Sequence, residues 1–433
     1  MLDWPLLDGL PQLILLGIGV VSFGFLLFGK TKRWWLVKVP IAIGVGILAA
    51  VLAKLVMDVI WKPFPQDPLP TVSLVAMFFN GAAIALAVMK PVRWPLRIVA
   101  VLAVIGVFIS GAAAINQHYG QYPTVGSLLG ADLDNQSDFD NKNNVKPDQL
   151  VKAPAGAALS TVWKAPANMP ATGTVSTVAI PGTKSKFAAR DAYIYLPPAY
   201  QSTPRAELPV IVLMAGQPGE PKDWFEAGKL GAVMDAYAAQ HDGLAPVVVV
   251  VDPLGDSFAN PGCVDSPQGN VFTYLSQDVP DWIKANLQVV QDTQKWSIGG
   301  LSNGGTCALV MAVNAPDVYR TFLAMSPEDQ INVGDDAAAT IATLFGGSQA
   351  AFDAVNPLTV MKTKKFPDTA GFVVGGLDDS YLPRAQRVEQ AAKDAGMTID
   401  YVELPGGHDW RVWGEGFQEA LPWLSNRMGL IAS

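Results

Sequence analysis

The sequence predicts an α/β domain with a mostly parallel sheet, preceded by an all-α domain of four membrane-spanning helices. Three observations carry this prediction. Long apolar segments are confined to the first quarter of the chain, β-branched runs alternate with helix-like segments beyond residue 173, and the charge changes sign between the two parts. Across 433 residues, 50% are hydrophobic and 16% charged, and the mean hydropathy is +0.26. That average is too apolar for an ordinary soluble enzyme.

Four apolar segments occupy residues 11–28, 39–60, 71–89 and 96–115. Each is close to the roughly 20 residues that cross a hydrocarbon core as a helix. Residues 1–116 carry 9 Lys/Arg against 4 Asp/Glu, net +5, whereas residues 117–433 carry 21 against 34, net −13. An acidic second part with no basic run excludes nucleic acid as a partner. Lys30, Lys32, Arg33 and Lys38 follow the first segment, and Lys90, Arg93 and Arg97 follow the third. The N-terminus, with Asp3 and Asp8, and the middle loop, with Lys62 and Asp67, hold no cationic excess. The positive-inside rule makes the two basic loops cytoplasmic, so both the N-terminus and everything after the fourth span lie outside. Trp4, Trp34, Trp35, Trp61 and Trp94 stand near span ends, where amphipathic rings favour the interface. The basic flank follows the first apolar stretch, which argues against a cleaved signal peptide. Within the spans Lys54 and Asp58 are one turn apart and suited to pair, and Asn80 is a lone polar residue. The expected location is a multi-pass protein of the plasma membrane with its second domain extracytoplasmic.

Residues 117–172 are rich in Asp, Asn, Pro, Ala and Thr and read as an exposed linker with little core, able as a coil to span on the order of 40 Å. The α/β domain then covers 173–433. Strands are expected at 174–180, 188–196, 208–214, 247–252, 295–298, 322–325, 371–374 and 399–403, and helices at 273–287, 304–314, 384–395 and 414–426. The all-valine core of 247–252 suits a strand covered on both faces.

Chemistry concentrates at a strand-to-helix junction, Gly300-Leu301-Ser302-Asn303-Gly304. This is the G-x-S-x-G spacing of a nucleophile elbow, where a tight turn lifts a serine hydroxyl above the sheet edge. In a glycine-rich chain the spacing alone is weak, and the strand before and helix after strengthen it. A serine nucleophile needs a base and an acid to orient that base. There are three histidines. His118 ends the last span and His241 precedes a strand, which suits surface roles. His408 lies in Gly406-Gly407-His408-Asp409, a loop between a strand and the final helix, where a catalytic base belongs. The acid should fall between nucleophile and base, and the segment Gly375-Gly376-Leu377-Asp378-Asp379 offers Asp379, with Asp378 as the alternative. The oxyanion hole would use the backbone N–H of Asn303 and of Gln217.

Residues 208–216, the run Gly299 to Gly305 around Ser302, and Gly406-Gly407-His408-Asp409-Trp410 followed by Trp413 together resemble an esterase family of α/β-hydrolases. That family includes esterase D, enterochelin and feruloyl esterases, and the mycolyltransferases of mycobacterial and corynebacterial envelopes. The resemblance covers more than half of the chain. It implies the α/β-hydrolase fold, with Ser302 as nucleophile, His408 as base and Asp379 as acid. The mycolyltransferases carry a glutamate as the acid and lack a four-span anchor, and both departures count against mycolate transfer.

Cys263 and Cys307 are the two cysteines, and on an outer face they read as a disulfide. No metal-ligand spacing or phosphate-binding glycine loop is present, so no metal and no cofactor is expected. The resulting expectation is a membrane-anchored serine esterase acting on carboxylic esters, with acylated or aminoacylated envelope lipids compatible as substrates. An acyltransferase needs the same three residues and is the alternative; an inactive binding module is a third reading. The bilayer is the expected partner, and four spans, where one would anchor, leave surface for a membrane-protein partner.

Overall fold

The computed structural model describes the whole chain except residues 1, 62–68, 132, 134, 141–143, 334–335 and 433. Lys62 and Asp67 of the middle loop therefore lie outside the described residues. The chain divides into two compact units, Met1–Ala131 and Asp132–Ser433.

In the first unit the helices are α1 (Gly9–Leu27), α2 (Val39–Leu55), α3 (Thr71–Met89) and α4 (Trp94–Tyr119). Wider π-type turns extend α2 at both ends, giving a span of Trp34–Ile60. All four are long and apolar enough to cross a membrane. Large apolar side chains such as Val20, Leu36 and Val88 point outward, while Ala42, Ala76, Ala83 and Ala103 are buried. That is the reverse of a bundle built for water, and small residues at the crossings are how helices approach in lipid. A Cβ on Gly81 would stand 2.7 Å from Ala49 Cβ, so the α2–α3 crossing leaves no room for one.

The ends of this unit differ in character. Lys90 Nζ donates to the carbonyls of Phe25 (2.7 Å), Leu26 (3.0 Å) and Phe28 (2.7 Å), placing a cation on the C-terminus of α1. The Trp34 and Trp35 indoles donate to the Leu27 and Gly29 carbonyls at the same end. At the other end, Leu6 N–H donates to Pro123 O at 2.8 Å and Val125 N–H to Trp4 O at 3.0 Å. The chain thus enters α1 and leaves α4 on one face, as an even number of spans requires. Lys54 and Asp58 pair at 2.6 Å, and Asp58 also accepts from Leu69 N–H. Asn80 is buried, with no hydrogen-bond partner for its Oδ1 among the described residues.

The second unit is built on an eight-stranded sheet: β1 (Thr174–Val178), β2 (Ala192–Leu196), β3 (Val210–Met214), β4 (Val247–Val251), β5 (Ser297–Leu301), β6 (Thr321–Met325), β7 (Ala370–Gly376) and β8 (Thr398–Leu404). Their order is β8-β7-β6-β5-β3-β4-β2-β1. The six strands from β3 to β8 are mutually parallel; β1 and β2 pair antiparallel, and β2 runs antiparallel to β4. This is the α/β-hydrolase arrangement. The main helices are α5 (Leu230–Gln240), α6 (Val279–Asn286), α7 (Asn303–Asn314), α8 (Leu382–Asp394) and α9 (Trp410–Arg427). Strands β3 to β7 are buried along their whole length, so hydrophobic cores form on both faces of the sheet. The sequence signal missed α5 and three short helices between residues 337 and 363, where alanine and threonine dilute the apolar periodicity.

The expected linker is different from a free coil. Helix α4 runs to Tyr119, and from residue 132 the chain packs with the α/β unit. Ser137 N–H donates to Val175 O at 2.8 Å on the open edge of β1, and Leu150–Val151 pairs in parallel with Arg205–Ala206. Leu159 and Trp163 are buried. A polar composition conceals this because the strap is held at scattered points, by backbone and side-chain hydrogen bonds and by single apolar anchors such as Phe139, Val151, Leu159 and Trp163, which make no periodic pattern.

Cys263 and Cys307 form a disulfide with Cα atoms 5.3 Å apart, joining the segment before residue 264 to α7. Closing 44 residues should contribute about 4 kcal/mol by the chain-entropy relation. Replacing both cysteines with serine is expected to lower the denaturant midpoint accordingly, and an unchanged midpoint in oxidised and reduced protein would contradict it.

Candidate active site

Three turns at the C-terminal edge of the parallel sheet carry the candidate residues. Ser302 directly follows β5, Asp379 follows β7 and His408 follows β8. Ser302 has φ 52° and ψ −118°, a strained conformation for a residue with a side chain. The strain is tolerated because the strand below and the helix above are both buried. Gly304 makes the turn possible: a Cβ there would lie 2.5 Å from Met214 O and 2.6 Å from Ala215 O.

His408 Nε2 is 2.8 Å from Ser302 Oγ, and His408 Nδ1 is 3.0 Å and 3.2 Å from the two carboxylate oxygens of Asp379. Burial by itself would raise the Asp379 pKa; the hydrogen bond and charge of His408, with Ser326 Oγ and the Tyr381 N–H, outweigh it and hold the carboxyl below its usual range. Asp379 is therefore ionised at neutral pH, so His408 Nδ1–H donates to it and Nε2 is left to accept from Ser302. Asp379 is buried and Asp378 exposed, which separates the two acids that spacing left open.

The flanking turn holds the remaining candidates. A Cβ on Gly216 would stand 3.2 Å from Ser302 Cβ, so the turn after β3 lies against the elbow. Gln217 follows it, its Nε2 donating to Phe258 O at 3.0 Å. Asn303 begins α7, where helix geometry leaves N–H groups unsatisfied. Its side chain donates to Asn260 Oδ1 at 3.1 Å. The Cys263–Cys307 bridge ties the same segment to α7 one turn later. Within the second unit His241 stacks on Tyr237 at the end of α5 and does not join the cluster, and His118 belongs to the first unit.

Several contributors were given no role by the sequence, though Trp413 belongs to the family-like segment. The Tyr381 ring lies 4.4 Å from the His408 ring, and Trp413 meets His408 edge-on at 5.0 Å while its indole donates to Ser326 Oγ at 3.2 Å. Arg190 and the fully buried Asp252 form a second, rigid unit. Arg190 donates to both Asp252 oxygens, to Ser257 Oγ at 2.7 Å and to Gly219 O at 2.9 Å, tying the turn after β3 to the segment after β4. A lone arginine 62 residues from its aspartate has no local signature. Glu328, two residues beyond Ser326, lines a recess beside Asn303. Burial pushes its carboxyl up to about 7, only partly countered by Arg384 and the Asn332 side chain.

A family model described as "Putative esterase" matches residues 188–424. The chain belongs to that esterase family. Its second unit is accordingly a carboxylic ester hydrolase. An uncharacterised protein of Corynebacterium glutamicum is 34% identical over 450 residues, covering 98% of both chains, so the match extends over both units of this chain. The S-formylglutathione hydrolase of Paracoccus denitrificans is 25% identical over 217 residues, 46% of this chain and 72% of its own. Among solved structures, a ferulic acid esterase superposes with a TM-score of 0.51 at 21% identity, covering 59% of this chain and 99% of its own, a likeness of fold.

The raised Glu328 pKa has a consequence for this esterase. An unfolded glutamate ionises near 4.3. The folded one resists until about 7, so its share of stability is intact below the lower value and is lost as pH rises through the upper one. Glu328→Gln is expected to stabilise the protein at pH 8, by up to about 3 kcal/mol, and not at pH 4. Equal thermal shifts at both pH values would contradict this.

Proposed function

We propose that this esterase is anchored in the plasma membrane by its four helices, keeps its catalytic unit on the outer face, and hydrolyses carboxylic esters of envelope lipids through Ser302, His408 and Asp379. The observation that carries the chemistry is the unbroken row of hydrogen bonds from Ser302 Oγ through both nitrogens of His408 to Asp379. Ser302 Oγ attacks the ester carbonyl as its proton passes to His408 Nε2. The ionised Asp379 stabilises the imidazolium, and the N–H groups of Asn303 and Gln217 receive the oxyanion. His408 returns the proton to the departing alcohol. Water, activated by the same imidazole, then resolves the acyl-enzyme.

Two features support the lipid and the orientation. Among the described residues of the second unit, the exposed large apolar side chains are Val162, Phe258 and Leu377. Phe258, 61% exposed, accepts from Gln217, and Leu377, 52% exposed, stands two residues before Asp379, so two of the three border the site. Apolar groups there suit an amphiphilic ester. The cations gathered where α1 and α3 end, and a disulfide beside the site, both favour an outer catalytic unit.

Ser302→Ala should abolish labelling by a fluorophosphonate and turnover of p-nitrophenyl acetate; retained turnover overturns the assignment. Asp379→Asn should cost about 10⁴ in kcat by stranding the wrong tautomer, while Asp378→Asn should leave kcat within about threefold, as surface changes do. For orientation, an impermeant maleimide applied to whole cells should label Asp8→Cys and spare Lys32→Cys, and the opposite pattern would refute an outer esterase.

A further inference from the structure

We propose that the recess bounded by Asn303, Thr306, Glu328 and Asn332 is a subsite for a cationic substituent on the acyl group, making esters with an ammonium beside the ester carbonyl the preferred substrates. This rests on the esterase chemistry proposed for Ser302.

Position comes first. The recess is completed by Gly262, Cys263 and Ile331. Asn303 adjoins the nucleophile, and Thr306 is one turn further along α7. Thr306 Oγ1 donates to Ser302 O at 3.2 Å and accepts from Glu328 N–H at 3.0 Å, which fixes the glutamate against the first turn of the elbow helix. An acyl group on Ser302 therefore has this recess beside it. The free space holds about one water-sized group, which suits an ammonium and not a whole acyl chain.

The walls decide the chemistry. A carboxyl, two carboxamides and a hydroxyl line the recess, with Ile331 its one aliphatic side chain. An alkyl substituent would take these groups out of water and return no hydrogen bonds. The charges point the same way. Among the described residues, Arg387 is committed to Asp329 at 2.6 Å and His408 to Asp379, while Glu328 has the Tyr381 hydroxyl at 3.5 Å and Arg384, which lies over the Tyr381 ring, at 3.8 Å. An anionic substituent would stand against the Glu328 carboxyl, and an ammonium would give it a closer cationic donor. A carboxyl held up to about 7 by burial is one whose countercharge is incomplete, in keeping with a site that awaits a cation.

The test uses full-length protein in detergent and two glycerol esters of one shape, 1-O-alanyl-glycerol and 1-O-isobutyryl-glycerol, which exchange an ammonium for a methyl. The wild type is expected to favour the alanyl ester by about tenfold or more in kcat/KM. Glu328→Gln should reduce that ratio by about tenfold, the scale of one charge-assisted hydrogen bond, and Glu328→Asp should restore part of it. Asn332→Asp, which adds a carboxylate to the recess, should raise it. Fluorophosphonate labelling of Ser302 is read in parallel. A labelled wild type that shows no alanyl preference, or a ratio unmoved in the labelled variants, overturns the subsite and leaves the esterase reading standing. An unlabelled wild type that cleaves neither ester overturns the esterase reading itself.

Discussion

Ser302 faces His408 because its backbone is held at φ 52° and ψ −118° between a strand and a helix that are both buried. No local preference of serine supports that conformation; the parallel sheet does. β5 lies between β3 and β6, and helix α7 is buried all along its length, so the turn joining them cannot relax without disrupting both cores. The remaining parts of the site are arranged around this point. The turns after β7 and β8 bring Asp379 and His408 to it, and the turn after β3 is pressed against it at Gly216.

Two carboxyl groups near His408 show how burial gives different results according to what accompanies it. Asp379 receives hydrogen bonds from His408, Ser326 and Tyr381 N–H and stays ionised. Glu328 has a guanidinium at 3.8 Å, the Tyr381 hydroxyl at 3.5 Å and one carboxamide, which together are too little to offset its loss of water. A third acid, Asp252, is fully buried, yet the Arg190 fork and the N–H groups of Leu254 and Gly255 keep it below its usual range. Asp252 and Arg190 brace the turn after β3, the Cys263–Cys307 bridge braces the loop that follows β4, and Glu328 stands in the recess between that loop and the elbow helix. Rigid polar groups therefore support the site from outside, and the weakly paired Glu328 lies in the recess beside the elbow helix.

The helical unit is built differently. Many of its large apolar side chains face outward, and alanine and glycine recur at its helix crossings beside a few buried large residues such as Leu26, Trp34 and Leu86, so close backbone packing supplements hydrophobic burial. Lys90 illustrates the economy of this design: one ammonium satisfies three carbonyls at the end of α1.

Much of this was legible in the chain. Continuous apolar runs marked the spans, since a bilayer demands them, and β-branched runs bounded by glycine marked the strands of a sheet buried on both faces. Ser302 and His408 stood out because an elbow needs glycines at set positions and few histidines compete. Tertiary structure decided what depends on residues far apart. It separated Asp379 from Asp378, adjacent in sequence and opposite in burial, because a turn directs consecutive side chains to different sides. It turned an apparent linker into a strap on the edge of β1, because scattered hydrogen bonds and single apolar anchors leave no periodic mark in the sequence. It also gathered Arg190 with Asp252, from the ends of β2 and β4, which adjoin in the sheet but not in the chain, and Glu328 with Asn303, from the turns after the paired strands β6 and β5. Local pattern records which face of an element is apolar, and only the crossing of elements determines which polar groups meet above the sheet.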